Sequence, residues 1–586
     1  MKLKSEASLF FVGKWLNKTQ FSGKEGRSPL PALFLVLAAA LGGLRAWEAV
    51  SVFSALFFLC LAFLDEDLSV SGLGVWGLLA LWLAVGLAFS PEPLNSFWHF
   101  SRYLLFFSFF IFSSRRAPAA GRVWAGAVFL LGALASVLSV SEALLGMGPG
   151  GILGVNPNYG AAFMAAALAG SAALLAAAAD KKEKLRAGAG LIIFAAGLLA
   201  ANSRGGLLGA LAAVFCLLWL RRALRPALYL TAGLLLIAAL LPKEQFGWIL
   251  KLDDPYSLER LKIWGTALDA IAASPFFGAG PGLFERAFEV FKFPFYNGIS
   301  YYGHSTPHAH SELLNIAAEA GIPAACLMIW GWGRAVFAAD DAGRWGPVLK
   351  VFAVSLFVQA AVDIIFYSGA IQLFFFGTLG LLAAGGKRPV EVPGSRVRAL
   401  SLLLVCWCAA FVLRSGFERD KSCALDADKP PVMRRACLKT AVVFAPGDAA
   451  LLEAGVPLSL VVHGNYAYTA ALAEESALKR PRDPFPLFAR AEAFYKAGAI
   501  GPAKAELYRA LALEPAFLRA RLRLAGILAE EKYHRGAAAE LSRIEAELGK
   551  NRAAPRYRYD RDLLALPEGP YAELRKKIRS VPVRFP

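Results

Sequence analysis

The feature that most limits the fold is a repeated hydropathy pattern. Apolar runs lie near 30–45, 49–64, 71–90, 97–113, 121–146, 160–179, 187–202, 205–220, 226–242, 312–335, 347–369, 371–385 and 398–414, each bounded by a short polar stretch. Runs of this length, as helices, cross a bilayer core or come close to it. Lipid-facing backbone must satisfy its own hydrogen bonds, which favours helices. The expected fold is all-α, a polytopic membrane helix bundle of about 12–13 spans. A mean hydropathy of +0.50 and only 18% charged residues agree and argue against a soluble enzyme. The first run follows a basic leader with Lys2, Lys4, Lys14, Lys18, Lys24 and Arg27, so it reads as a first span rather than a cleaved signal.

Charge orders the loops. If the leader is cytoplasmic, loops after even-numbered spans should be basic. They carry Arg115, Arg116 and Arg122, then Lys181, Lys182, Lys184 and Arg186, then Arg221, Arg222 and Arg225, then Lys387, Arg388, Arg396 and Arg398. Loops 90–95 and 146–160, on the other side, carry none. Asp65-Glu66-Asp67 runs against the pattern, but acidic residues weigh little in it. This parity predicts a cytoplasmic leader over 1–28, a membrane domain over 29–414 with an external loop at about 243–311, and an external helical domain over 415–586. In a bacterium that means the inner membrane with the C-terminal domain in the periplasm.

The net charge of +18 does not indicate nucleic acid. From Gly416 onward there are 29 basic and 21 acidic residues, so the excess is divided, and no dense basic stripe interleaved with aromatics occurs. Membrane lipid headgroups are a sufficient partner. Cys60, Cys216, Cys326, Cys406 and Cys408 lie in apolar runs as ordinary packing residues. Cys423 and Cys437 lie in polar sequence and, on the external side, form either a bridge or two unpaired thiols. The tail has an internal period: Pro481 and Pro515 are 34 residues apart, with Pro446 35 before the first. Ala491, Phe494, Ala503 and Ala510, then Ala525, Leu528 and Ala537, fall where paired helices want small or aromatic residues. The tail resembles a short tetratricopeptide array, clearest over 484–547, which implies a docking surface for a protein partner; a plain helical bundle is the other reading.

Polar chemistry concentrates between Pro242 and Pro323. Arg102 in the fourth span, Arg204 in the turn before the eighth, and Arg260 in the loop share one side by parity. Guanidinium forks suit phosphate oxygens, so a lipid-linked diphosphate is an attractive ligand, against the plainer reading of arginines reaching to headgroups. His304, His308 and His310 read as a metal site, a structural cluster, or a proton-transferring or substrate-orienting imidazole. Glu312, Asn315 and Glu319 form one polar stripe, with Glu319 placed to hold a histidine, and Asp363 is a second carboxylate candidate.

These residues carry a resemblance. Arg260-Leu-Lys-Ile-Trp264, then Ser274 to Phe284 with Gly278, Gly280 and Gly282, then His310-Ser-Glu through Glu319-Ala-Gly321-Ile322, resemble the signature region of the O-antigen ligase and polymerase family. Asn156-Pro157-Asn158 and Ser203-Arg204-Gly205-Gly206 resemble it too, and the similarity spans Leu30 to Ala384. The family commonly has Asn after the histidine, where this chain has Ser311. The resemblance implies a metal-independent, cofactor-free glycosyltransferase at the external face, with an undecaprenyl-diphosphate-linked glycan as donor and a hydroxyl of lipid A core, glycan or protein as acceptor. It implies Arg102, Arg204 and Arg260 on the diphosphate, His310 at the acceptor with Glu319 orienting it, and a substrate loop of Gly278, Gly280, Gly282 and His308. Ligation, polymerisation and transfer to protein all fit. A lipid or glycan transporter with a docking domain is the reading from another class; it should show repeated halves and paired charges at mid-membrane, and neither is evident.

Overall fold

The computed structural model describes residues 29–580, except 64–67, 71–72, 115–119, 149–150, 152, 154–155, 224, 230, 233–254, 338–342, 385–389, 427, 445–447, 449–450, 453–454, 456–465, 551–554 and 556. The leader, most of the ninth run, the start of the large loop, Asp65-Glu66-Asp67, Arg115, Arg116, Lys387, Arg388 and Pro446 thus lie outside the described residues.

The chain is an all-helical membrane bundle. Helices α1 (Leu30–Ala40), α2 (Trp47–Phe63), α3 (Leu73–Gly86), α4 (Pro93–Ser113), α5 (Ala120–Leu144), α6 (Pro157–Ala177), α7 (Lys181–Ala200) and α8 (Arg204–Leu220) correspond to the first eight apolar runs. Helices α9 (Pro255–Ala273) and α10 (Phe284–Phe291) lie in the large loop, followed by α11 (Glu312–Ala320), α12 (Ile322–Phe337), α13 (Gly346–Val362) and α14 (Gly369–Ala383). Then come α15 (Gly394–Trp407) and α16 (Ala409–Leu425). Outward positions stay apolar: Leu56, Phe63, Leu81, Leu134, Ile192 and Leu403 are exposed, as a lipid-facing wall requires. Inside, α6 packs on α5, α7, α8 and α13, and α14 packs on α4. Small residues such as Ala161, Ala165, Ala166 and Ala213 let these backbones approach.

The loops sort onto two ends, in the grouping that the basic residues predicted. At one end Ser203 Oγ meets Asn158 Oδ1 at 2.7 Å, Gln359 Nε2 donates to Asn158 O at 3.0 Å, and Arg45 Nη1 donates to Leu153 O at 3.4 Å. At the other, Arg344 pairs with Glu183, Arg221 donates to Ala176 O, and strand β1 (Leu68–Val70) pairs antiparallel with β2 (Val390–Val392).

Two boundaries differ from expectation. The run 312–335 is not one span: Gly321, at φ 87, separates α11 from α12, and Ile322 N donates to Pro275 O. A Cβ at Gly321 would lie 1.8 Å from Phe276 O, so only glycine allows the loop to cross here. The expected division at 414/415 falls inside α16, which runs on to a disulfide between Cys423 and Cys437 of helix α17 (Pro431–Phe444), with the Cα atoms 6.0 Å apart.

Beyond it, α18 (Tyr466–Lys479), α19 (Pro484–Lys496), α20 (Ile500–Leu513), α21 (Leu518–Glu530) and α22 (His534–Leu548) each pack on the next. Ala491, Ala503, Ala510, Ala525 and Ala537 are all fully buried between them. Pro481 and Pro515 stand in the turns before α19 and α21. Helices α23 (Arg558–Leu564) and α24 (Glu568–Arg579) close the described chain.

Gly321→Ala should destabilise the protein by about 3 kcal/mol through a forced left-handed alanine and a backbone clash. Gly333→Ala in α12, with open space around it, should be neutral or slightly stabilising. Thermal unfolding of the two variants in detergent gives the comparison.

Candidate active site

Helix α11 organises the site by serving loops on three sides. Glu312 Oε1 accepts from Phe366 N at 2.7 Å, in the segment joining α13 to α14. Asn315 Oδ1 accepts from Ala309 N at 3.0 Å, between His308 and His310. Glu319 accepts from Gly282 N at 2.9 Å and Phe284 N at 3.3 Å. Ser311 caps the helix through Leu314 N, so serine does here what a short polar side chain does at an N-cap.

The role expected for Glu319 changes accordingly. Its carboxylate holds the glycine-rich turn and does not touch His310; its link to the histidines runs through Asn315, with which it shares a hydrogen bond. The glycines also differ from expectation. Cβ atoms at Gly278 and Gly280 would meet Glu319 backbone at 2.3 Å and Ser90 Oγ at 2.5 Å, so these two glycines permit packing of the turn on protein. Gly282 alone of the three lines the cavity described next, against the His99 ring.

A cavity of about 340 Å³ opens beside this turn, lined among others by Arg45, His99, Arg102, Tyr103, His308, Glu312, Glu319, Tyr367 and Arg414. Arg102 Nη2 donates to Leu44 O at 3.2 Å and Tyr367 O at 3.0 Å, which fixes the guanidinium at the cavity wall. Arg45 stacks over Tyr159 and Tyr367, 5.8 Å from each ring centre. The Nε atoms of Arg45, Arg102 and Arg414 are buried without a hydrogen-bond partner among the described residues. His308 packs on Tyr367 with ring centres 4.7 Å apart, and its Nε2 is likewise without a partner.

A second cluster forms around Asp363, which is 2% exposed at the end of α13. Arg260 of α9 lies 4.0 Å from its carboxylate and donates to Val362 O. Arg204, at the first position of α8, and Asn158 also act on this carboxylate. The structure therefore joins Arg204 and Arg260 through Asp363 and puts Arg102 at the cavity with Arg45. Between the two clusters runs His308-Ala309-His310. His310 has a left-handed backbone, φ 53, rare for a non-glycine residue and typical of strained functional positions. Its Nδ1 is buried without a partner among the described residues, and Arg260 is its charged neighbour.

Burial pushes all three loop histidines down to about 4; Lys292 adds to this at His304, His310 and Arg102 at His308, and Arg260 at His310. They are therefore neutral near pH 7. His304 sits apart, among Phe288, Phe293 and Phe295. Among the described residues no three His, Cys, Asp or Glu side chains group as metal ligands.

Residues 189–329, from within α7 through the first half of α12, match the family model described as O-antigen ligase. This stretch is similar to an O-antigen ligase domain. It contains Arg204, Arg260, His308, His310 and Glu319, whereas Arg102 and Asp363 come to the site from outside it. No curated protein matches the chain. The matched stretch thus supplies one wall of the site, and helices before and after it supply the other.

Sequence reading passed over Arg45, His99, Tyr367 and Arg414. Arg45 had a signal: Gly42 and Gly43, both at positive φ, end α1 and turn the chain so that the arginine faces inward. His99 and Arg414 sit inside apolar runs, where an ionisable residue is a candidate by default.

Because the folded histidines titrate near 4 and free histidine near 6.5, their burial contributes stability fully present above pH 6.5 and lost as pH falls towards 4. Denaturant titrations should find stability flat from pH 7 to 8 and declining below about 6. Replacing His308 and His310 together by Gln should flatten that decline.

Proposed function

We propose that this O-antigen ligase-type membrane enzyme moves a glycan from an undecaprenyl-diphosphate-linked donor to an acceptor hydroxyl at the external face of a bacterial inner membrane. The observation that carries the reading is a neutral, strained His310 beside Arg260, two residues from a histidine that lines an arginine-walled cavity. The disulfide supports the external assignment of this end, because such bonds persist in oxidising compartments.

In this mechanism the acceptor hydroxyl gives its proton to the neutral imidazole of His310 as its oxygen attacks the anomeric carbon of the donor. The bond from that carbon to the diphosphate oxygen breaks, and the lipid diphosphate leaves with the bonding electrons. Arg102, Arg204 and Arg260 stabilise the charge that develops there, with Arg45 beside Arg102. Asp363 holds Arg260 and Arg204 in place; Asn315 holds the peptide that carries His310. The reaction as written needs no metal ion. The acceptor is a hydroxyl of lipid A core, of a growing glycan or of a protein, and the C-terminal helices are the place for a protein partner.

With purified protein and a defined lipid-diphosphate donor, His310→Ala should lower transfer by roughly 10²- to 10⁴-fold. Arg260→Ala should lower it by about 10²-fold or more, while both variants insert normally. Near-normal turnover by His310→Ala would remove the imidazole from the mechanism. Mass spectrometry of the product with candidate acceptors assigns the hydroxyl.

A further inference from the structure

The loop that leads into the histidines is held by residues far away in the tail. Asn297 to Gly303 forms a tight turn, with Asn297 Oδ1 accepting from Ile299 N and Ser300 N, each at 2.9 Å. Two carboxylates of the C-terminal helices then grip its outer side. Glu514, at the end of α20 and fully buried, accepts from Tyr301 N and Tyr302 N at 2.9 and 2.6 Å. Asp560 of α23, 3% exposed, accepts from Ser300 Oγ at 2.6 Å and Asn297 Nδ2 at 3.1 Å. Tyr559 joins them: its hydroxyl meets Glu514 at 3.2 Å, and a Cβ at Gly303 would meet Ser300 Oγ at 2.5 Å and the Tyr559 ring at 2.7 Å.

The inner side of the same turn is held by the loop itself. Lys292 Nζ donates to Tyr302 O at 3.0 Å and to Glu289 of α10 at 2.8 Å, and both side chains are buried. Tyr302 is therefore fixed through its N–H by the tail and through its carbonyl by the loop. From Gly303 the chain runs with no regular element to His304, His308 and His310, and Asn315 of α11 accepts from Ala309 N between the last two. A carboxylate that uses both oxygens on two successive backbone N–H groups is a stronger tie than a neutral hydrogen bond, and burial raises the cost of breaking it.

We infer that Glu514 and Asp560 are positioning residues for the histidine segment, so that the C-terminal helical domain is part of the scaffold of the reaction site. The inference rests on the glycosyl-transfer reading only for its kinetic consequence; the anchoring itself is independent of it. It ties the helical domain expected over 415–586 to the loop that carries the histidines. Without the tail, the turn loses every acceptor for the N–H groups of Tyr301 and Tyr302 and for the Ser300 hydroxyl that the structure provides.

The test uses the full-length protein in detergent. Hydrogen–deuterium exchange is followed over 297–310 and over 484–548 in the native protein, in Glu514→Ala/Asp560→Ala, in Glu514→Gln, and in Gly303→Val, which pries the turn off Tyr559 from the loop side. Exchange over 297–310 should rise roughly tenfold in the double variant and in Gly303→Val, with α19 to α22 protected as before, and Glu514→Gln should recover part of the protection. Transfer from a lipid-diphosphate donor should fall in kcat by about tenfold, with the donor KM near that of the native protein. If the double variant also loosens α19 to α22, Gly303→Val alone decides. Unchanged exchange over 304–310 in Gly303→Val overturns the inference, as does a loss confined to the donor KM. Absence of any transfer by the native protein overturns the glycosyltransferase reading and leaves exchange to judge the anchor.

Discussion

Backbone that leaves a helix inside or beside a bilayer must find hydrogen bonds within the protein, and α11 supplies them here. Its three polar side chains, one helical stripe, satisfy N–H groups in the segment before α14, in the histidine strand and in the glycine-rich turn. The helix can stand at that junction only because Gly321 separates it from α12. A continuous helix would have carried the stripe into the hydrocarbon region, where Glu312 and Glu319 would have lacked partners.

The same constraint explains how charge is distributed. Arg102 and Arg260 donate to backbone carbonyls at the ends of helical turns, Leu44 and Tyr367 for the first and Val362 for the second, and Arg45 donates to Leu153 O in the loop between α5 and α6. Interrupted helices leave such carbonyls free, and arginines close them while keeping other N–H groups for a ligand. Asp363 neutralises part of the charge at one cluster, and at the cavity Glu285, Glu312, Glu319 and Glu418 share the lining with Arg45, Arg102, Arg414 and Lys421.

Much of this was legible in the sequence. Hydropathy located the apolar helices of the membrane part apart from the break at Gly321, and the placement of Lys and Arg grouped the loops into two sets, since both follow from the bilayer as a solvent. Arg204, Arg260 and His310 were candidates because polar residues stand out between apolar runs. What hydropathy could not reveal is which side chain a polar group addresses. Glu319 lies at helical spacing from His310 yet serves Gly282 and Phe284, because Gly321 turns the chain. Arg45 looked like the end of a span, and only the fold of Gly42-Gly43 directs it inward. Contacts as distant as Glu514 to Tyr301 have no periodic signal at all.

The two-stranded ribbon at the other end of the bundle has a consequence for assembly. Leu68 to Val70 pairs with Val390 to Val392, and just beyond it α15 lies along α2, with Ser51 Oγ donating to Cys408 O across 357 residues. Helix α2 therefore waits for α15, far along the chain, before this face of it is covered. Until then its polar groups face lipid or insertion machinery, so a chain halted before residue 390 is an open bundle exposed to degradation.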